Sequence, residues 1–259
     1  MINEIAITFD TDWASDYIID KTMRMVLKEG IKSTWFITHD SLAIRELMKH
    51  CDLIEIGLHP NFQKESTQGK SPLEIINGLR TIAPMAKCIR SHAMVYSASI
   101  AQVFAELGFE IDSSQYLAEM ENISPMRIKY NSGAKITRMP YFWCDDGYFF
   151  KKPEDRYLFI NFARMPGLKI FCFHPTHVVL NTNSLGQYIK FREMVSSKET
   201  ALTPGVMSLA KKEATALKGC INNCPEGTAL ALFQLIYNEF FTKPKFLSEI
   251  NEEFLCQVK

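Results

Sequence analysis

Six side chains in this sequence could together run a hydrolysis. Asp10 and Asp12 follow the apolar run 5–9, His59 closes the run 53–58, His92 comes just after 87–90, and His174 and His177 follow 169–173. Four of the six histidines thus stand where a β-rich run ends. Imidazole and carboxylate are the common ligands of zinc and neighbouring divalent metals, and a catalytic site uses about three protein ligands with one position open. Such a metal lowers the pKa of water and polarises a carbonyl, while a nearby carboxylate takes the proton. Asp10 and Asp12, two residues apart, point the same way in an extended segment, so one can bind metal and the other act as base. The expected cofactor is one divalent ion, with zinc the leading candidate. Arg90 ends a run expected to be buried and therefore needs a specific partner.

The remaining polar residues read more plainly. His39 and His50 stand alone and are expected to be structural. Ser15 and Asp16 sit where a helix cap would fall. Cys220 and Cys224 are the one close cysteine pair, but no second close pair or following histidine completes a zinc knuckle. The aromatic run 141–150 is expected to be mostly core, with Trp143 a candidate for contact with substrate.

Something must bring residues 10 to 177 together, and the alternation of elements supplies it. Short β-rich runs are expected at 5–9, 34–38, 53–58, 87–90, 110–112, 134–140 and 169–173, roughly seven strands in all. Helices are expected between them, at about 15–29, 41–50, 72–82 and 99–107, with Gly30 and Gly108 as exits. Alternating strands and helices imply parallel strands, and in a parallel barrel the strand ends converge on one face, where such barrels keep their chemistry. The segment 61–70 is polar and reads as an exposed loop. Beyond 181 the β signal fades; helices are expected at 185–195, 206–217 and 228–241, divided by Pro204, Pro225 and Pro244. The expected organisation is a barrel over 1–181 and a helical extension over 182–259 packed on the same domain.

Composition narrows the function. The chain has 259 residues, 47% of them hydrophobic, enough for one sizeable core. Its 29 basic and 29 acidic residues leave no surplus positive charge for nucleic acid or an anionic membrane. No apolar run approaches the ~20 residues of a membrane span, and the start lacks the features of a secretory signal, so the expected compartment is the cytoplasm. Seven irregularly spaced cysteines fit reduced thiols there. Nothing in the sequence sets an oligomeric state.

The motifs resemble those of the polysaccharide deacetylases with NodB homology, and in particular the WbmS-like branch associated with O-antigen biosynthesis. Thr8-Phe9-Asp10-Thr11-Asp12 is similar to the family's first motif, in a variant with an Asp-x-Asp pair. The resemblance implies Asp10 as general base and Asp12 as metal ligand. Glu55-Ile56-Gly57-Leu58-His59 is similar to the approach to the second motif, but Gln63 stands where a second histidine ligand would fall. Arg90-Ser91-His92 resembles the third motif, which implies that Arg90 supports the base. His92 is then a candidate for the third ligand, with His177 or Asn61 as alternatives. Asp112-Ser113-Ser114 is similar to the fourth motif, and the stretch around Trp143 resembles the wall of the acetyl pocket. Ile170-Phe171-Cys172-Phe173-His174 resembles the fifth, which implies His174 as general acid. His177 has no counterpart in the pattern and is assigned to substrate contact or support of the site.

The resemblance covers residues 5–181 in the family's motif order and implies a distorted (β/α)7 barrel, an α/β fold. It implies a metal-dependent hydrolase acting on an acetylated sugar or oligosaccharide. Two other readings of the residues stand beside it. One takes Asp10 and Asp12 as nucleophile and acid of a magnesium-dependent, haloacid-dehalogenase-like phosphatase. The other is a barrel that binds carbohydrate without turning it over.

Overall fold

β1 (Ile5–Asp10) is the hub of the sheet, and all six of its residues are buried. Both faces of a parallel sheet are covered, so a central strand reads as a near-continuous apolar run. On one side β1 pairs in parallel with β2 (Ser33–Ile37), in register Thr8 with Thr34, and β2 pairs with β3 (Ile54–Leu58). The ladder continues through β4 (Cys88–Ile89) and β5 (Ile111–Asp112) to β7 (Lys135–Arg138), all parallel. β6 (Met126–Lys129) forms an antiparallel hairpin with β7 and is an edge strand that the sequence reading did not place. On its other side β1 pairs with β9 (Lys169–Phe173), which pairs with β8 (Trp143–Cys144).

The expected strand at 134–140 and part of the expected irregular aromatic run are in fact one extended stretch. Its first half is β7 against β5; Tyr141 bridges to Tyr116; its second half is β8 against β9. The stretch carries the ladder from β5 across to β9 and curls the nine-segment sheet round on itself, giving the NodB-type distorted (β/α) barrel. This computed structural model describes residues 2–151, 162, 165–196, 227–237 and 242–258.

Helices cover the outside. α1 (Asp16–Lys28) buries Ile18, Ile19, Met23 and Val26 and leaves through Gly30, whose φ of 64° suits glycine. α2 (Leu42–Leu47) starts one residue later than expected because Ser41 is its cap, accepting from the Ile44 amide, and it ends early, with Met48 as its C-cap. α3 (Pro72–Ile82) and α4 (Ala98–Glu106) start with the same serine device at Ser71 and Ser97. α5 (Asp145–Phe150) follows β8 directly, inside the run expected to be irregular. α6 (Pro175–Leu180) follows β9, packs on α1, and ends at Asn181 with a left-handed φ of 45°. Ser15 makes no side-chain cap, contrary to expectation, and Asp16 instead accepts from the Ala43 amide at the start of α2.

Of the expected tail helices, α7 (Leu185–Ser196) matches the first and α8 (Thr228–Tyr237), packed on α6, the described part of the third. The expected helix 206–217, the Cys220–Cys224 pair, Pro204 and Pro225 lie outside the described residues. An additional helix, α9 (Leu247–Gln257), buries Leu247, Ile250 and Phe254 in the same core as β1. It sits where the strands begin: the Lys245 amide donates to Ile5 O at 2.9 Å, and Glu249 pairs with Lys32 ahead of β2. The opposite, strand-end face is thereby left to the chemistry. No helix among the described residues is long and apolar enough to cross a membrane.

Candidate metal and acid–base site

The strand ends gather their polar side chains at one mouth. Arg90, just past β4, is fully buried and every edge of its guanidinium is used. Its Nη1 donates to Asp10 Oδ1 at 2.8 Å and Thr8 Oγ1 at 2.9 Å, while Nε and Nη2 donate to the carbonyl and hydroxyl of Ser113. Its flat faces lie over Phe36 and Tyr141, 4.3 and 4.8 Å from the ring centroids. Burial alone would raise the Asp10 carboxyl, but Arg90 beside it, with His59 and His174, holds it below the ordinary range. The other oxygen, Oδ2, accepts from the Cys172 thiol at 3.3 Å.

Asp12 reaches the same place by a different route from the one expected. β1 ends at Asp10, so strand alternation does not align the two carboxylates. Asp12 and Trp13 instead adopt left-handed φ values of 40° and 55°, strained for residues other than glycine. Thr38 holds this turn: its hydroxyl accepts from the Trp13 amide at 3.1 Å and lies 3.0 Å from Thr11 Oγ1. A second left-handed turn, at Ala93 and Met94 with φ of 51° and 55°, follows His92.

The result is a triangle of donors. Asp12 Oδ1 lies 3.2 Å from His59 Nε2 and 3.0 Å from His92 Nδ1, and the two nitrogens are 3.4 Å apart. A tetrahedral ion with bonds of about 2.0–2.1 Å wants its ligand atoms about 3.3 Å apart, so the triangle fits one. His59 also has the right tautomer. Its Nδ1 is 2.7 Å from the Arg90 carbonyl, a group that can only accept, so Nδ1 carries hydrogen and Nε2 offers a lone pair to the carboxylate. Either a proton or a cation between the two atoms satisfies both.

His174 stands opposite. Its amide donates to Asp145 Oδ2 and its Nδ1–H to Asp145 Oδ1, at 2.7 and 2.6 Å, leaving Nε2 aimed at Asp12 Oδ2, 3.3 Å away. Burial would lower its pKa, but Asp146 and Asp145, with Asp12, lift it well above the usual imidazole value. Asp145 is the most consequential residue that the sequence reading passed over. The adjacent acids Asp145-Asp146 directly after an aromatic run were the available signal.

The other candidates lie elsewhere. His177 is buried on α6, with Nε2 2.7 Å from Asp146 Oδ1 and Nδ1 3.0 Å from Thr182 Oγ1, and is not part of the Asp12 triangle. Asn61 turns its side-chain oxygen onto the Gln63 amide at 3.0 Å, and Gln63 is exposed. Asp112 is buried, caps the Ser114 amide at 3.0 Å and pairs with Arg138, and burial raises its pKa. Trp143 packs among Phe171, Phe173 and Tyr148 with 1% exposure, inside the core. His39 is bonded to Thr38, and His50 lies on the surface near Glu46.

The curled sheet, with an arginine-held carboxylate and an aspartate-held imidazole at its strand ends, matches the NodB-type (β/α) barrel of carbohydrate deacetylases. Within that class, the family model described as WbmS-like polysaccharide deacetylase matches residues 7–192, and the chain belongs to this family. It is a hydrolase, a carbohydrate deacetylase.

Among solved structures the chain is similar to a Bordetella bronchiseptica protein described as a polysaccharide deacetylase involved in O-antigen biosynthesis. The two share 27% identity over 90% of this chain and 89% of the other, with a TM-score of 0.70. A Mycobacterium smegmatis protein, also described as a polysaccharide deacetylase, shares the fold at 14% identity over 98% of this chain and 91% of its own, TM-score 0.57. No curated protein matches the chain. The family match favours the deacetylase reading over the phosphatase alternative.

Proposed function

We propose that the chain removes an acetyl group from a sugar of an O-antigen or related surface polysaccharide, using one divalent cation, zinc first among candidates. The donor triangle of Asp12, His59 and His92 carries this reading. A cation bound there supplies Lewis-acid polarisation of the acetyl carbonyl and lowers the pKa of water. The protein's own groups do the proton work. Asp10, kept ionised by Arg90 and fixed in direction by Arg90 and Cys172, takes the proton of the attacking water. His174, kept protonated by the carboxylates around it, delivers its Nε2 proton to the departing sugar nitrogen or oxygen. Asp145 keeps that ring oriented by holding Nδ1.

His92 takes the place that Gln63 leaves vacant in the family pattern. The match to an O-antigen relative supports the substrate class. The compartment we propose is the cytoplasm: Cys51, Cys88, Cys144, Cys172 and Cys256 are all free thiols, although Cys144 and Cys172 are directly paired in the β8–β9 ladder.

The test is metal content together with acetate release from acetylated O-antigen oligosaccharides. His92→Ala should lose bound metal and activity, His177→Ala should keep the metal, and Asp10→Asn should keep the metal but lose roughly 100-fold or more in kcat. Retention of stoichiometric metal by His92→Ala would overturn the ligand set.

A further inference from the structure

Of the chain's three tryptophans, Trp35 and Trp143 are 0% and 1% exposed, whereas Trp13 is 39% exposed. It also stands on strained backbone, with φ of 55°, held at its amide by the Thr38 hydroxyl. Burial of a large ring would offset such strain, but a ring left open recovers only part of it. Glycine or asparagine would make this turn with less strain and without presenting an indole to solvent. Stability therefore does not account for a tryptophan at position 13.

Its location points to a role. Trp13 follows Asp12 directly, and its ring meets His92 edge to face, with centroids 5.1 Å apart and planes at 85°. It thus borders two of the three members of the donor triangle. The contact with His92 uses at most one face of the indole and does not occupy the other. The turn after His92 repeats the arrangement: Met94, also left-handed, leaves a second large apolar side chain exposed. Each strained turn follows a donor of the triangle, and each brings an apolar group to the surface there, against the usual preference for burying it.

A pyranose has the complementary chemistry, because its C–H groups form an apolar face that packs on an aromatic ring. An acetyl carbonyl brought to an ion between Asp12, His59 and His92 leaves the sugar that bears it close to these ligands, where Trp13 stands. We propose that Trp13 binds the substrate, its indole face packing against the C–H face of the pyranose that carries the acetyl group. The proposal rests on deacetylation of a sugar at this mouth. Trp13 contributes affinity and orientation and takes no part in proton transfer, so its loss is read in KM rather than in kcat.

The experiment measures acetate release from acetylated O-antigen oligosaccharides by zinc-loaded full-length protein. Trp13→Asn removes the ring and installs a residue that tolerates left-handed backbone. It should keep its bound zinc, hold kcat within about twofold and raise KM by about tenfold. Trp13→Phe keeps an aromatic face and should stay within about threefold of the wild-type KM. Binding without turnover is followed in the Asp10→Asn protein, where acrylamide quenching of fluorescence reports on Trp13 because Trp35 and Trp143 are buried. The oligosaccharide should protect Trp13 from the quencher. A wild-type KM in Trp13→Asn, quenching that the oligosaccharide leaves unchanged, or loss of zinc from Trp13→Asn would overturn the role of Trp13 and leave deacetylation standing. A wild type that releases no acetate from these oligosaccharides would overturn the substrate reading itself, and this proposal with it.

Discussion

At the scale of single residues, the site is organised by who neutralises whom. Asp10 is a buried carboxylate that stays ionised because one guanidinium faces it; without Arg90, burial is the dominant influence left and the pKa moves up. The ion pair therefore contributes stability that is fully present above the ordinary carboxyl value and is lost as pH falls through the lower folded value. Arg90→Met leaves Asp10 buried without its partner, and we expect a loss of about 3–5 kcal/mol in urea unfolding. In whatever fraction folds, the acidic limb of the pH–rate profile should shift to higher pH, since the base now protonates sooner. Arg90→Lys restores charge but not the fan of donors to Thr8 and Ser113, and should fall between. An acidic limb that stays in place in Arg90→Met would show that Arg90 does not set the base.

At the scale of elements, strands aim the site through contacts well away from it. Gly57 in β3 lies against the Phe36 ring: a Cβ there would come within 2.7 Å of two ring carbons and 3.1 Å of the Cys88 carbonyl. Phe36 is also one of the two rings that sandwich Arg90. Gly57→Ala should thus cost about 1–3 kcal/mol by overpacking and lower kcat by displacing Arg90. Gly78→Ala on α3 meets nothing closer than 3.9 Å and should instead stabilise by about 0.5–1 kcal/mol, measured by the same melts. Wild-type stability and kcat in Gly57→Ala would contradict the coupling. This dependence also explains what was legible in the sequence. β1, β3 and β9 are apolar runs ending in Asp10, His59 and His174, so strand and site residue could be read together. β8 has two residues, too few to show any alternation, and its ladder is imposed by β9; α5 and Asp145 behind it were therefore hidden. The turns at Asp12–Trp13 and Ala93–Met94 use left-handed backbone without glycine, so no local signal marked them. α9 shows a spacing of Leu247, Ile250 and Phe254 that a closer reading after Pro244 could have used.

At the scale of the whole molecule, balanced composition conceals an unbalanced centre. The chain carries 29 positive and 29 negative side chains, yet at the mouth Asp10 takes the guanidinium of Arg90 while Asp12, Asp145 and Asp146 all gather around His174. Folding must bring these like charges together, while in the unfolded chain water and distance keep them apart. A cation that binds only the folded mouth therefore stabilises the entire barrel, because Asp12, His59 and His92 arrive from three different strand ends and share an ion only when the sheet has assembled. The stabilisation at 100-fold excess over Kd is about 2.7 kcal/mol, which for a chain of this size is roughly 5–10 °C in Tm. Thermal melts should show that shift between chelator-treated and zinc-supplemented protein, and Asp12→Asn should abolish it while lowering the metal-free Tm, because, against the cost of burial, His174, His59 and His92 make the folded mouth favour the charged form of Asp12. A melt that ignores zinc in the wild type, or a shift that survives Asp12→Asn, would mean that the ion binds somewhere other than the mouth that the fold assembles.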